Sequence, residues 1–151
     1  MLLTQLLTPE RVRVPLAARD KPGVLRELSE LLAQESGGTV ADVLRAVVDR
    51  EQVLSTGVGF GIAIPHGRSP SMPDLAAVAG RSSEPIEFDA LDGEPVNIFF
   101  MLVGPERCAG QHVKALSRIA RLARSEALRQ QLLTAPTGAE FYQALADAES
   151  R

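Results

Sequence analysis

The chain has 151 residues, a formal net charge of −3 and 45% apolar residues, the balance of a globular domain large enough to bury a core. The negative charge excludes a bulk electrostatic attraction to nucleic acid, and the single cysteine, Cys108, excludes an internal disulfide and a multi-cysteine metal site. No apolar run is long enough to cross a bilayer and the first residues lack a signal-peptide pattern, so we expect a cytoplasmic protein without direct membrane insertion.

The first forty residues predict a strand followed by a helix. Residues 1–10 carry leucines without a clear period, which is typical of a short helix or a loose terminus. Residues 11–16 alternate, and Pro15 places this predicted strand at a sheet edge. Asp20 precedes a helix with apolar residues at helical spacing, and Gly37-Gly38 ends it.

A second helix is predicted after Thr39, which is a plausible N-cap with Asp42 three residues on. This helix presents Arg50 and Glu51 near its C-terminal end. Its apolar positions are predicted to share one face: Val40, Val43, Leu44, Val47 and Val48.

Strands dominate the middle of the chain. Residues 76–79 predict a weak strand and residues 86–88 a shorter one, with a turn at Asp92-Gly93. Residues 96–103 are almost continuously apolar, which is typical of a central strand buried on both faces.

Helices dominate the last third of the chain. One begins near His112, with Val113, Leu116 and Ile119 in its period, and two more follow the predicted caps Ser125 and Thr137. Helices and strands intermingle without a repeat or a linker. The sequence therefore predicts a single α/β domain over residues 1–151, with a mixed β-sheet flanked by helices on both faces.

The most informative segment combines closely spaced glycines with one of only two histidines. Gly57, Gly59 and Gly61 alternate with other residues, and an apolar run then leads through Pro65 to His66. Bare backbone lets N–H groups approach an anion, and histidine gains and loses charge near neutral pH. The segment indicates a histidine presented at a phosphate-accepting surface, although a tightly packed turn would also explain the glycines.

The motif resembles the signature of the fructose/mannitol/nitrogen-type (type 2) enzyme IIA domains of the bacterial phosphoenolpyruvate-dependent phosphotransferase system. The resemblance covers roughly residues 20–145 by the order of its motifs. Its central part reads Arg50-Glu51-x-x-x-Ser55-Thr56-Gly57-x-Gly59-x-Gly61-Ile62-Ala63-Ile64-Pro65-His66-Gly67, followed by Asp92-Gly93-x-Pro95-Val96 and His112-Val113-x-x-Leu116-x-x-Ile119-Ala120.

The resemblance implies that His66 accepts a phosphoryl group, on its Nε2 atom, from the histidine-containing phosphocarrier protein. It implies that His112 is the family's second active-site histidine and that Arg50 is the active-site arginine, whose guanidinium can pair with phosphate oxygens. A solvated surface histidine and a solvated helix cation are the alternative interpretations of these two residues. No cofactor is expected.

Three further residues and the glycines have supporting roles in this hypothesis. Glu51 would orient Arg50 or His66, or cap its helix. Ser55 and Thr56 would hydrogen-bond near the phosphohistidine, although hydroxyls in turns more often satisfy the local backbone.

Other functions fit the sequence less well. The strand and the Asp20-Lys21-Pro22-Gly23 segment resemble the start of an ACT-type domain that senses small molecules, but this leaves the Gly/His motif unexplained. The glycines lack the spacing of a dinucleotide-binding loop. No short-range ligand pair supports a metal site.

The role of such a domain remains open between two possibilities. A sugar-specific IIA passes phosphoryl groups to a IIB protein, whereas a nitrogen-regulatory IIA controls a target protein through its phosphorylation state. We favour the regulatory role. The sugar, the downstream acceptor and the oligomeric state do not follow from the sequence.

Overall fold

The computed structural model describes residues 2–151, which form one mixed β-sheet covered by helices. The strands are β1 (Val12–Leu16), β2 (Gly57–Gly59), β3 (Ile62–Ala63), β4 (His66–Arg68), β5 (Ala76–Ile86) and β6 (Val96–Gly104). The helices are α1 (Lys21–Ser36), α2 (Val40–Val53), α3 (Ala109–Leu122), α4 (Glu126–Thr134) and α5 (Gly138–Glu149). Short 3₁₀ turns cover Leu3–Gln5, Pro9–Arg11 and Glu106–Cys108.

The strand order is β1-β5-β6-β3-β2, and β4 also pairs with β6. β1 lies at an edge, parallel to β5, which confirms the position that Pro15 predicted. β5 and β6 are antiparallel, whereas β3 and β4 both run parallel to β6. The predicted mixed sheet is confirmed.

β3 and β4 pair one after the other with β6. Ile62 pairs with Ile98 and His66 pairs with Leu102, so the same register continues across the break at Ile64-Pro65. The Pro65 carbonyl accepts the Leu102 N–H across this break. His66 is therefore held at the start of a strand that the buried strand β6 positions.

Each face of the sheet has its own hydrophobic core. Along β6, Phe100 and Leu102 belong to the core that includes residues of α3, α4 and α5, whereas Phe99 and Met101 belong to the core that includes residues of α1 and α2. This alternation follows from the period of two in a strand. It confirms the prediction of helices on both faces and of a central strand buried on both sides.

The predicted helix signals differ in how they are used. Asp20 caps α1, since its side chain accepts the Gly23 N–H at 2.8 Å, and Gly37 ends this helix with φ 87°. Thr39 occupies the N-cap of α2, but its hydroxyl donates to the Asp42 carboxylate at 2.7 Å and makes no side-chain cap to the backbone.

β5 is one strand of eleven residues where the sequence predicts two short ones. Its second half carries Arg81, Ser83 and Glu84, whose polarity is typical of a loop. The pairing of Ser82 with Leu16 of β1 and of Ile86 with Val96 of β6 keeps this half in the sheet, and such long-range pairing leaves no pattern within the segment itself.

The buried face of α3 differs from its predicted apolar stripe. The helix begins at Ala109, three residues before the expected start. Val113, predicted to be buried, is 56% exposed, whereas His112 is only 3% exposed. The buried positions of α3 are His112, Ala115 and Ile119. A count of apolar residues alone misses His112, and it therefore assigns the buried position to the adjacent Val113.

Candidate functional site

A cavity of about 350 Å³ lies where β4 meets α2 and α3. It brings together the three residues that the sequence analysis placed in the site, His66, His112 and Arg50, although they come from three elements separated along the chain. The residues that line it are Ala46, Arg50, His66, Gly67, Arg68, His112, Val113 and Leu116.

The ring of His66 is held by the backbone just before it. Its Nδ1 atom lies 2.8 Å from the carbonyl oxygen of Ile64. Because a carbonyl oxygen only accepts hydrogen bonds, the proton of the neutral imidazole lies on Nδ1. Nε2 then carries the free electron pair, which makes it the nucleophilic atom of this ring.

The surroundings of His66 favour its neutral form. Burial is the largest cause that lowers its pKa below the ordinary value of 6.5, and the positive charges of Arg50 and Arg68 lower it further. The hydrogen bond to Ile64 and the negative charge of Glu51 oppose this shift without reversing it. At neutral pH the ring is therefore a neutral nucleophile.

His112 lies in the first turn of α3 with its ring beside that of His66. The ring centroids are 5.5 Å apart and the planes meet at 67°. Burial, the neighbouring His66 and the charge of Arg68 together lower the pKa of His112 to about 4. Among residues 2–151, its buried Nε2 atom finds no hydrogen-bond partner. A buried polar atom without a partner is costly, so this atom is available to a group that enters the cavity.

Arg50 reaches the cavity from the C-terminal part of α2. Its Nη1 atom donates to the Leu54 carbonyl at 2.7 Å, and the side chain is partly exposed. The guanidinium has further N–H groups beyond this bond, and they can serve an anion in the cavity.

Gly67 brings Arg50 to this place. A Cβ atom on Gly67 would lie 2.8 Å from the backbone carbon and oxygen of Ala46, one turn before Arg50 on α2. Only glycine permits this close packing of α2 against β4. Gly67 belongs to the recognised motif, but the sequence analysis gave it no role.

Glu51 neither contacts His66 nor orients Arg50. Its buried carboxylate accepts the Thr56 N–H at 2.9 Å and the Thr56 hydroxyl at 2.6 Å, and it pairs with Lys21 at 3.1 Å. Glu51 and Thr56 therefore stabilise the connection between α2 and β2. The influence of Glu51 on His66 is electrostatic, since its charge raises the pKa of that ring.

Ser55 also serves the local backbone. Its hydroxyl donates to the Phe88 carbonyl at 3.2 Å and accepts the Gly57 N–H at 3.1 Å. This is the role that turn hydroxyls most often have.

The three alternating glycines form the hairpin between β2 and β3 and take no part in the cavity wall. Gly59 and Gly61 have φ angles of 98° and 73°, which a hairpin of this shape requires, and Phe60 between them also has a positive φ. At Gly57, a Cβ atom would lie 2.6 Å from the Cβ of Ala90. The tightly packed turn, the alternative weighed above, therefore accounts for these glycines.

Arg68 is the cavity residue that the sequence analysis missed. It follows His66 by two residues in β4, and alternate residues of a strand share a face. An arginine two residues after His66 could have identified it from the sequence. Its charge lowers the pKa of both histidines.

Comparison with known families settles the class of the protein. Residues 5–148 match the model of the family described as "Phosphoenolpyruvate-dependent sugar phosphotransferase system, EIIA 2". The chain belongs to this enzyme IIA family. The resemblance stated from the motif is thereby confirmed, and so is the function class, a phosphoryl-carrying component of the phosphotransferase system.

Relatives of this enzyme IIA span both kinds of role. It is 35% identical to a nitrogen regulatory protein of Bradyrhizobium diazoefficiens, over 97% of this chain and 95% of that one. It is also 35% identical to the fructose-specific EIIABC component of Bacillus subtilis, over 89% of this chain but only 21% of that longer protein.

The crystal structure of nitrogen regulatory protein IIA-Ntr from Neisseria meningitidis has the same fold. Its TM-score is 0.87 at 33% identity, and the match covers 93% of this enzyme IIA and 97% of that chain. The ACT-type alternative is excluded, because α1 leads into α2 rather than into a second strand. Within residues 2–151 we find no helix that is both long enough and apolar enough to cross a membrane.

Proposed function

We propose that this enzyme IIA accepts a phosphoryl group on Nε2 of His66 from the histidine-containing phosphocarrier protein. The observation that carries the proposal is that a neutral His66, whose Nδ1 is bound to Ile64, lies beside the Nε2 atom of His112, which has no hydrogen-bond partner among residues 2–151. The first ring supplies the nucleophile. The second supplies a donor for a phosphoryl oxygen when its proton is on Nε2.

In this transfer one phosphoryl group moves from the donor histidine to His66. The electron pair on Nε2 of His66 forms the new N–P bond while the N–P bond of the donor's phosphohistidine breaks, and that bond's electron pair returns to the donor imidazole. The proton on Nδ1 of His66 stays on that nitrogen, which continues to donate to the Ile64 carbonyl, and the resulting imidazolium charge partly offsets the phosphoryl charge. Such a reaction depends mainly on alignment and on charge stabilisation.

The cavity supplies that stabilisation. Arg50 lines it, and a guanidinium is suited to phosphoryl oxygens. His112 contributes a neutral donor, because its low pKa keeps the ring uncharged near neutral pH. Because phosphohistidine is labile, the group can move on to a further acceptor.

The first test is the replacement of His66. We expect His66→Gln to abolish the incorporation of label from phosphoenolpyruvate in the presence of the two upstream general phosphotransferase proteins, because glutamine has no nucleophilic ring nitrogen. Intact-protein mass spectrometry measures the added phosphoryl group, and its loss in acid together with its stability in base identifies phosphohistidine. His112→Gln is the control for the other histidine and should still be labelled, at a lower rate. Undiminished labelling of His66→Gln would reject His66 as the acceptor.

We further propose that this phosphorylation serves a regulatory target in the cytoplasm. Support comes from two relatives that are matched over nearly their whole length, the nitrogen regulatory proteins of Bradyrhizobium diazoefficiens and Pseudomonas aeruginosa. The phosphorylated protein should then keep its label when it is mixed with purified IIB proteins of the fructose and mannitol systems.

The second candidate function is transfer to a IIB protein. It is favoured by the fold shared with the mannitol IIA of Escherichia coli, whose structure has been solved in complex with phosphorylated IIB. The TM-score between that IIA and this chain is 0.80. Rapid passage of label to either IIB protein would establish this role in place of the regulatory one.

A further inference from the structure

Arg68 occupies the rim of the histidine cavity but is bonded elsewhere. It shares a face of β4 with His66, at a Cα separation of about 6.6 Å for alternate strand residues. Its Nη1 atom lies 2.7 Å from Oε1 of Glu106, in the 3₁₀ turn Glu106–Cys108 that leads into α3. The side chains of Arg68 and Glu106 are 40% and 79% exposed.

An ion pair of this exposure is weak, because water screens both charges and two long side chains must be ordered. The guanidinium of Arg68 can therefore change partners at little cost. It already acts on the cavity through its charge, since it lowers the pKa of both His66 and His112.

We propose that Arg68 is a phosphate-binding residue that Glu106 holds away while His66 is unmodified. When the phosphoryl group is on His66, the guanidinium exchanges the Glu106 carboxylate for phosphoryl oxygens. This inference rests on the proposed function. It adds a second cation, after Arg50, that binds the phosphoryl group, and an ion pair, between Arg68 and Glu106, that breaks when His66 is phosphorylated.

The charges favour this exchange. A protein phosphoryl group carries about −1.5 to −2 charges against the single charge of Glu106, and it offers three acceptor oxygens. It would also lie in a partly buried cavity, where electrostatic attraction is stronger than at the exposed Glu106. Arg50 differs in its starting partner, which is the uncharged Leu54 carbonyl.

The exchange has a consequence at the surface. Released from Arg68, the Glu106 carboxylate becomes an unpaired negative charge at the start of the segment that leads to His112. A partner that docks beside the cavity would meet this free charge only in the phosphorylated protein.

The test is the equilibrium of phosphoryl transfer between the phosphocarrier protein and variants of this chain. Arg68→Gln removes only the weak, exposed pair with Glu106 from the unmodified state but a stronger contact with the phosphoryl group from the phosphorylated state, so we expect its equilibrium constant to fall about three- to tenfold. Glu106→Gln removes the competitor and should raise the constant about two- to fivefold. The double variant should match Arg68→Gln, because Glu106 acts only through Arg68.

Arg107→Gln is the matched control. Arg107 is the neighbouring arginine, it also pairs with an exposed carboxylate, Asp74 at 3.2 Å, and it does not line the cavity. Its constant should equal that of the wild type. Thermal unfolding of each variant checks that the fold is retained.

The outcomes separate this inference from the function on which it rests. If the wild type is labelled on His66 but Arg68→Gln transfers with an unchanged constant, the inference is wrong and the proposed function stands. A fall in the constant for Glu106→Gln would also overturn it, since the carboxylate would then support the phosphorylated state. Absence of label on His66 in the wild type would instead reject the proposed function.

Discussion

At the scale of single residues, His112 shows how burial prepares a side chain for chemistry. The ring is 3% exposed and its Nε2 atom lacks a partner within the described chain. Such an atom costs folding free energy, typically about 1–3 kcal/mol. In the proposed function this cost is recovered when a phosphoryl oxygen arrives, so a locally unfavourable group becomes a preformed donor.

The low pKa of His112 predicts a specific loss of stability in acid. The unfolded chain binds a proton on this residue near pH 6.5 and the folded protein only near pH 4. The contribution of His112 to stability is therefore fully present above pH 6.5 and is lost as the pH falls from there towards 4. Urea unfolding of the wild type and of His112→Gln at pH 7.5 and pH 5 measures it.

We expect the free energy of unfolding to fall more between these two pH values in the wild type than in His112→Gln. Arg68→Gln is a useful companion, because loss of its charge should raise the pKa of His112 and shrink the effect. Equal losses in the wild type and in His112→Gln would show that the ring is not held neutral.

At the scale of elements, the contact between α2 and β4 sets the geometry of the site. Gly67 lets the backbone of α2 approach the strand at Ala46, and Arg50 follows one turn later on the same helix. The register with β6 fixes His66 from the other side. The site is thus built from two elements in close contact and completed by α3.

We expect Gly67→Ala to damage both stability and transfer. Its Cβ atom would lie 2.8 Å from the Ala46 backbone, so α2 must shift, at a typical cost of about 1–3 kcal/mol for overpacking. The same shift displaces Arg50 and should slow phosphorylation of His66. Urea unfolding and the rate of label incorporation measure the two effects.

Gly110→Ala is the matched control for this change. Gly110 lies in α3, and a Cβ atom there would meet nothing within 4 Å. Alanine favours a helix over glycine by about 0.5–1 kcal/mol, so this variant should be as stable as the wild type or more so. If Gly67→Ala behaves like Gly110→Ala, close packing at Ala46 does not hold α2 in place.

At the scale of the whole molecule, the two ends of the described chain are joined by one carboxylate. Glu149, at the end of α5, has a side chain only 1% exposed. It accepts the backbone N–H groups of Leu3 at 2.7 Å and Thr4 at 2.9 Å, and it pairs with Arg118 of α3 at 3.4 Å. This contact seats the first 3₁₀ turn and the buried Leu3 against the core.

We expect Glu149→Gln to lower the free energy of unfolding by about 1–3 kcal/mol, because a charged acceptor of two backbone bonds is lost and the ion pair between Glu149 and Arg118 is removed. Urea unfolding measures the change, and Glu30→Gln, on the exposed side of α1, is the control that should change little. The site lies elsewhere, so label incorporation on His66 should be retained. A stability equal to that of the wild type would show that the terminal turn is held by its apolar contacts alone.

Much of this protein followed from local patterns in the sequence. The continuous apolar run identified the central strand β6, the caps Asp20 and Ser125 located helix starts, and the motif around His66 identified the family. These features depend on residues close together along the chain, so the chain itself displays them.

Other features were decided only by contacts between distant segments. The second half of β5 is a strand because β1 and β6 pair with it, and the polar residues within it gave no sign of this. The buried position of His112, the ion pair of Arg68 with Glu106 and the local role of Glu51 depend on which element packs beside each residue. The sequence by itself determined the family and the acceptor candidate, whereas tertiary packing decided which charges face His66, because a side chain's partners are set by distances in space.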